Sequence, residues 1–157
     1  MTKYYLKDTK RYGKSIFANQ NIQKDEIVFT IQGPIVKKPS IYTVPIDHDL
    51  YVDPSSPGKF LNHSCEPTCG IKNKTQVIAM HDLRKDDEIT IDYAMIVPQY
   101  DEKKLKQNIT CHCGSKKCRG EFGSYKALPA NLRQKYKGYI SDYLFDEEEI
   151  NKYKNEL

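Results

Sequence analysis

Three short segments hold the residue types that do chemistry. The densest is Cys111-His112-Cys113-Gly114-Ser115-Lys116-Lys117-Cys118-Arg119-Gly120. Three thiols this close together, with Gly114 free to turn the chain back, suit thiolates converging on one Zn²⁺. A closed tetrahedral site wants a fourth ligand. His112 sits between two of the thiols, where its ring would rarely reach the same ion, so Cys65 or Cys69 is favoured. Lys116, Lys117 and Arg119 are placed to help hold the thiolates deprotonated. The second segment is Phe60-Leu61-Asn62-His63-Ser64-Cys65-Glu66-Pro67, and the third is Asp87-Glu88-Ile89-Thr90-Ile91-Asp92-Tyr93. Taken alone, the second reads as a turn with a packed histidine and the third as a strand end carrying a tyrosine. Gly13-Lys14-Ser15 has the ending of a phosphate-binding loop. The glycine that motif needs five residues before its second glycine is replaced by Asp8, whose charge opposes phosphate, so nucleotide triphosphate binding is excluded.

The elements that position these segments follow from composition and periodicity. With 157 residues the chain makes one domain, or one with a small appendage. Hydrophobic residues at 38% and 12 Tyr beside 5 Phe exclude a disordered chain. No apolar run approaches the roughly 18 residues that span a membrane, and no secretory signal opens the chain. A cytoplasmic or nuclear location is expected. Five cysteines cannot all pair within the chain, and that setting favours a metal or a reactive thiol over a disulfide framework. Net charge is +4, and only four of the 25 basic residues are Arg, which argues against a dedicated nucleic-acid binder. Charge is uneven, with a basic stretch at 103–119 and an acidic run at 146–149, both expected to be solvated faces.

An internal echo organises the first two-thirds. Residues 16–29 read IFANQNIQKDEIVF and residues 77–91 read VIAMHDLRKDDEITI. Each has an apolar pair, Ala, a spacer, Ile or Leu, a Lys-Asp turn, then an alternation. Ile27, Phe29 and Ile31, and likewise Ile89, Ile91 and Tyr93, follow period two and predict half-buried strands. Two β-turn-β units imply a mostly β fold. Pro34, Pro39, Pro45, Pro54 and Pro57 make the stretch between them irregular, with short extended pieces at best. Residues 99–107 are polar and suit a helical turn. From Pro129 onward, Leu132, Tyr136, Tyr139/Ile140 and Tyr143/Leu144 recur at helical spacing and predict a helix covering the β body, weakened at Gly138.

In their order along the chain these motifs resemble the SET-domain protein lysine methyltransferases with a post-SET zinc segment. The carriers are Asn62-His63-Ser64-Cys65, the strand ending Glu88-Ile89-Thr90-Ile91-Asp92-Tyr93, and Cys-x-Cys-x4-Cys-Arg-Gly at 111–120. Arg11-Tyr12-Gly13-Lys14-Ser15-Ile16-Phe17-Ala18 is similar to the family's opening Gly-x-Gly strand, and the likeness runs on to Phe122. The tail after residue 125 is similar to that of small, bacterial-type members. The resemblance implies a fold of several short antiparallel sheets. It divides the chain into a SET domain at 1–98, a post-SET zinc segment at 99–124 and a helical tail at 125–157.

The resemblance also implies S-adenosylmethionine as methyl donor and a lysine ε-amine of a protein or peptide as acceptor, in a histone or another Lys-rich protein. By position, Lys14 and Ser15 offer backbone contacts to the cofactor, Asn62 and His63 hold its amino-acid and adenine ends, and Phe122 packs on the adenine. Tyr42 stands where some members place a further cofactor contact. Cys65 joins Cys111, Cys113 and Cys118 on zinc, leaving Cys69 spare. No membrane and no direct nucleic-acid partner is expected. Tyr93 would orient the amine and the methyl group, since an ordinary tyrosine titrates near 10 and makes a poor base.

Two positions depart from the family pattern. Ile31, in Ile31-Gln32-Gly33, and Ile91 replace aromatic residues that line the lysine channel in many members. A tail tyrosine, Tyr136, Tyr139 or Tyr143, is a candidate to supply the missing wall. The same departures motivate the rival reading of a catalytically silent, SET-like, zinc-containing protein-binding module.

Overall fold

The computed structural model describes residues 2–11, 13–99 and 110–145. The expected helical turn at 99–107, apart from residue 99, the first part of the basic stretch, 103–109, and the acidic run at 146–149 lie outside the described residues. Among the described residues, ten short strands form four small sheets. Strands β1 (Tyr4–Thr9) and β2 (Gly13–Ala18) make an antiparallel hairpin, with Tyr5 and Phe17 stacked across it at 5.6 Å. Gly13, at φ 75°, opens β2, a backbone state that glycine adopts without strain.

The internal echo is a structural repeat. One constant offset along the chain relates Ala18 to Ala79, Ile22 to Leu83 and Asp25 to Asp86, and the backbone bonds are exchanged in pairs. Ile22 and Leu83 each donate N–H to the other's carbonyl, at 2.9 and 2.7 Å. Asp25 donates to Ala79 at 2.8 Å while Asp86 donates to Ala18 at 2.8 Å. The Lys24 N–H reaches the Asp82 carboxylate at 2.9 Å, and the Lys85 N–H reaches the Asn21 amide oxygen at 3.1 Å. Both turn aspartates have positive φ, 70° at Asp25 and 75° at Asp86, a region that Asp tolerates better than most residues. The two β-turn-β units thus clasp each other about a local pseudo-twofold.

The arms that follow the turns differ. Strand β3 (Ile27–Thr30) joins β8 (Cys69–Lys72) and β9 (Gln76–Ala79) in a three-stranded sheet ordered β3-β9-β8. A bulge between Ile27 and Phe29 leaves Ile27 43% exposed and buries the adjacent Val28 and Phe29, so the simple alternation fails there. The second arm departs further. Ile89, Thr90, Ile91 and Asp92 are all buried, so this segment is enclosed on both faces rather than half-buried. Its strand, β10 (Thr90–Ile91), pairs in parallel with β7 (Asn62–His63), and Tyr93 begins a 3₁₀ turn, Tyr93–Met95.

The proline-rich middle holds β4 (Ile35–Val36), β5 (Val44–Asp47) and β6 (Leu50–Val52), the short extended pieces expected. In the order β4-β6-β5, Pro45 lies on an edge strand, where its missing N–H costs little.

The tail corrects the predicted long helix. Helix α1 spans only Ala130–Lys135, and after Gly138, at φ 89°, the chain continues into a 3₁₀ turn at Asp142–Leu144. The tail is pinned piecewise. Ile71 donates its N–H to the Tyr139 carbonyl at 2.9 Å, and Ser141 donates to Met95 at 2.9 Å. Among the described residues no helix is long and apolar enough to cross a membrane.

Candidate active site

The parallel pair β7-β10 sets Asn62 beside Thr90 and His63 beside Ile91, which brings two of the chemistry-bearing segments into register. Beyond β10, the Tyr93 side chain donates its hydroxyl to the Leu61 carbonyl at 2.9 Å. The Tyr93 backbone N–H donates to His63 Nδ1 at 3.0 Å. His63 Nδ1 is therefore an acceptor and bears no proton. Burial holds this imidazole down to about 4, so it is neutral at physiological pH. The approach of Nδ1 to Asp92 Oδ1, at 3.7 Å, joins two acceptors and is not an ion pair. The other nitrogen, Nε2, carries the proton and lies 3.4 Å from Cys65 Sγ.

Phe122 completes an aromatic cluster. Ring centroids are 5.1 Å apart for His63 and Phe122, 5.1 Å for His63 and Tyr93, and 5.4 Å for Tyr93 and Phe122. This cluster borders a cleft of about 870 Å³, whose walls include Tyr42, Asn62, Ile91, Tyr93, Phe122 and Tyr143. The volume falls within the range of ligand pockets. Tyr42 is half exposed, with the Lys59 ammonium 5.5 Å from its ring centre.

Lys14 and Ser15 lie behind Asn62. The Asn62 amide donates to Ser15 Oγ at 2.6 Å and leans toward the Lys14 carbonyl at 3.4 Å. Ile31 and Ile91 part company. Ile91 is on the cleft wall, whereas Ile31 is buried one layer back, where a Cβ on Gly58 would stand 3.2 Å from its Cγ2. Of the three tail tyrosines, Tyr143 is the one on the cleft wall, its hydroxyl donated to the Ile96 carbonyl at 2.6 Å.

The four thiols Cys65, Cys111, Cys113 and Cys118 converge, all sulfurs within 4.8 Å of one another, and Cys69 is elsewhere in the core. Cys65 and Cys111 sulfurs are 3.9 Å apart, close to the edge of about 3.8 Å that a tetrahedral metal with thiolate ligands requires. Burial pushes the Cys65 and Cys111 thiols up. Burial acts on Cys113 too, but backbone N–H groups of Cys65 and Ser115, with neighbouring thiols, hold it down to about 7. Four thiols so close in a partly desolvated site fit a cation that keeps them ionised. The Arg119 and Gly120 N–H groups point at Cys65 and Cys118 sulfur, at 3.3 and 3.4 Å. Two of the basic side chains expected to help hold the thiolates deprotonated have carboxylate partners of their own. Lys117 reaches toward Glu66 at 3.8 Å and the Arg119 guanidinium binds Asp92 at 2.7 Å, although the Arg119 charge still favours the Cys65 thiolate. Cys69, by contrast, is pushed up to about 12 by burial and is an inert core thiol.

A family model described as the SET domain matches residues 13–94, more than half of the chain. The chain belongs to the SET-domain family. The histone-lysine N-methyltransferase trithorax of Drosophila virilis is 29% identical over 132 residues, covering 69% of this SET chain and 3% of that protein. Human histone-lysine N-methyltransferase SETD1B is 30% identical over 130 residues, covering 67% and 6%. The H3 lysine-36 specific histone-lysine N-methyltransferase of Schizosaccharomyces pombe is 25% identical over 157 residues, covering 80% and 19%. The chain thus spans less than a fifth of the length of these curated relatives. Among solved structures, KRYPTONITE in complex with mCHG DNA and SAH superposes with a TM-score of 0.62 at 20% identity, covering 78% of this chain and 30% of that one. The methyltransferase domain of human SETMAR gives 0.59 at 20% identity, covering 79% and 59%. At these identities the two structures show a shared SET fold.

Sequence reasoning assigns no role to Asp92 or the Leu61 carbonyl, and it offers Tyr136 only as a channel wall, whereas Tyr136 lies off the cleft with its hydroxyl on Asp92. Asp92 had a signal: an acidic residue closing the apolar run from Ile89 must find partners if that run is buried. Tyr136 and the Leu61 carbonyl had none, because both act through contacts made only by the folded chain.

Proposed function

We propose that this SET chain is a protein-lysine N-methyltransferase that uses S-adenosylmethionine and carries a structural zinc. The observation that carries the reading is Tyr93. Its hydroxyl is fixed on the Leu61 carbonyl at 2.9 Å, at a cleft walled by Phe122 and Asn62, in a family whose matched relatives are named histone-lysine methyltransferases. KRYPTONITE, which shares the fold, was solved with SAH.

Bound S-adenosylmethionine supplies an electrophilic methyl group on a cationic sulfonium. The residues present suit such a molecule. Phe122, with buried neutral His63 packed behind it, offers aromatic surface for a base, and Asn62 offers an amide at the cleft wall. Lys14 and Ser15, held behind Asn62, contribute backbone groups, and Tyr42 closes the outer wall. The acceptor lysine, with an ordinary pKa near 10.4, must arrive or become neutral, which a desolvated channel beside a positive charge favours. Tyr93 then orients the amine, its hydroxyl held by Leu61 in one direction. Alignment of this kind accounts for a large part of the acceleration of a displacement reaction. Cys65, Cys111, Cys113 and Cys118 hold zinc, which ties the segment bearing Phe122 to the turn bearing His63.

Ile91 favours the second reading, a silent binding module, because an aliphatic wall replaces an aromatic one. Tyr143 on the same cleft weakens that alternative. The discriminating experiment incubates the protein with labelled S-adenosylmethionine and a panel of lysine-bearing peptides, histone tails included. Label on a lysine ε-amine supports the enzyme. Cofactor binding by calorimetry without transfer to any peptide, or no binding at millimolar cofactor, overturns the enzyme and supports the silent module.

A further inference from the structure

Asp92 is fully buried immediately before Tyr93. A buried carboxylate is retained only with good partners, and those of Asp92 come from three separate stretches of chain. Oδ1 accepts the Ala94 N–H at 3.0 Å and caps the 3₁₀ turn that begins at Tyr93. Oδ2 accepts Arg119 Nη2 at 2.7 Å and the Tyr136 hydroxyl at 3.0 Å. Arg119 follows Cys118, and its own N–H faces Cys65 sulfur, so its guanidinium reports how the Cys segment is seated. Tyr136 ends the short helix of the tail and is completely buried.

The packing leaves little slack. A Cβ at Gly123 would lie 2.5 Å from Arg119 Nη2 and 3.4 Å from Asp92 Oδ1, and Gly123 directly follows Phe122, whose ring touches Tyr93. The turn closes through three backbone bonds, Met95 to Asp92 at 2.9 Å, Ile96 to Tyr93 at 3.1 Å and Val97 to Tyr93 at 2.9 Å, and 3₁₀ bonds have poor geometry. The cap from Asp92 fixes the start of this turn, the point from which the Tyr93 ring projects between that residue's bonds to His63 and Leu61.

We propose that Arg119 and Tyr136 are positioning residues that act on Tyr93 through the carboxylate of Asp92. The seating of the Cys segment and the seating of the tail are both registered at the reacting hydroxyl. This inference rests on the methyl-transfer reading, and the test separates the two.

The full chain is compared with Tyr136→Phe, Arg119→Gln, Arg119→Lys, the double variant Tyr136→Phe/Arg119→Gln, and Tyr139→Phe as a tail control. Measurements are kcat and KM for cofactor and peptide, metal content, and amide hydrogen exchange at Ala94 by NMR. Tyr136→Phe is expected to lower kcat about tenfold, the scale of one lost hydrogen bond to a charged acceptor, with KM and metal content unchanged. Arg119→Gln lowers kcat further, and Arg119→Lys recovers part of the loss. The double variant falls short of the product of the single effects, because both act on one carboxylate. Ala94 exchange accelerates in the same order, and Tyr139→Phe moves neither quantity. An unchanged kcat in Tyr136→Phe, a loss confined to KM, or a kcat loss without faster Ala94 exchange overturns the proposal. Should Arg119→Gln fail to fold, Tyr136→Phe decides alone. If the wild-type chain transfers no methyl group, the methyl-transfer reading fails, and Ala94 exchange by itself upholds or overturns the link through Asp92.

Discussion

The two copies of the internal repeat share a backbone plan and differ in what surrounds their last arm. In the first copy, the arm from Glu26 to Thr30 bulges and ends on the surface, with Ile27 43% exposed. In the second, the arm from Ile89 to Asp92 is buried throughout and delivers Tyr93 to the cleft. The equivalent of exposed Ile27 is half-buried Glu88, so even the polarity is exchanged. The difference comes from neighbours. The second arm is paired by β7 and covered by the Cys segment and the tail, whereas the first, among the described residues, pairs with β9 alone. An arm enclosed in this way can hold a reactive side chain out of water, which favours a neutral amine acceptor.

The largest effect that would break this contrast is loss of the proposed metal from the four-thiol cluster. Cys65→Ser, or treatment with a strong chelator, should release the ion and unseat the segment at 110–123. The pseudo-twofold clasp at Ile22 and Leu83 should remain folded. Metal content by mass spectrometry, with amide exchange at both places, checks this; simultaneous loss of protection in both would show that the cluster supports the whole body. Next come the two equivalent core positions. Ile22→Ala and Leu83→Ala remove the buried side chains of the two residues whose backbones pair across the clasp. Each should cost about 2–5 kcal/mol in denaturant unfolding, by similar amounts, because the copies share their packing at this level.

The smallest effect is electrostatic and opposite in sign in the two copies. Glu26 is held below the ordinary carboxylate range by the Gln23 N–H and by Lys3. Its contribution is present above that range and is lost as pH falls through it, so Glu26→Gln should lower Tm at pH 7 and match the wild type in acid. Glu88 is pushed up by burial, against hydrogen bonding from Ser15 and the charge of Arg11. Its penalty grows as pH rises through its carboxyl titration, so Glu88→Gln should raise Tm at pH 7 and leave acid stability unchanged. Melting curves from pH 3 to pH 7 check both signs.

Much of the site was legible because its parts are contiguous motifs. Asn62, His63 and Cys65 lie in one segment, Tyr93 ends another, and the three thiols at 111–118 sit in a third. The echo was legible as well, since equal turns bury equal residues. The tail was not. The spacing of Leu132, Tyr136 and Tyr139 suits a helix, yet each tyrosine is held by its own tertiary bond, Tyr136 on Asp92 and Tyr139 on Asp25. Gly138 lets the chain turn between them, and local periodicity carries no record of those distant carboxylates. The burial of the second arm was hidden for a similar reason. A period-two pattern shows one face, and the element that covers the other face comes from elsewhere in the chain.

The central claim is that the second arm carries Tyr93 to a methyl-transfer centre. Single-turnover transfer of a labelled methyl group to a lysine peptide, measured for the wild type and for Tyr93→Phe at equal metal content and equal Tm, tests it most directly. Methyl-lysine is expected from the wild type, and a rate lower by on the order of a hundredfold is expected in the variant. Equal rates in the two proteins, or no methyl-lysine from a wild type that binds cofactor, would contradict it.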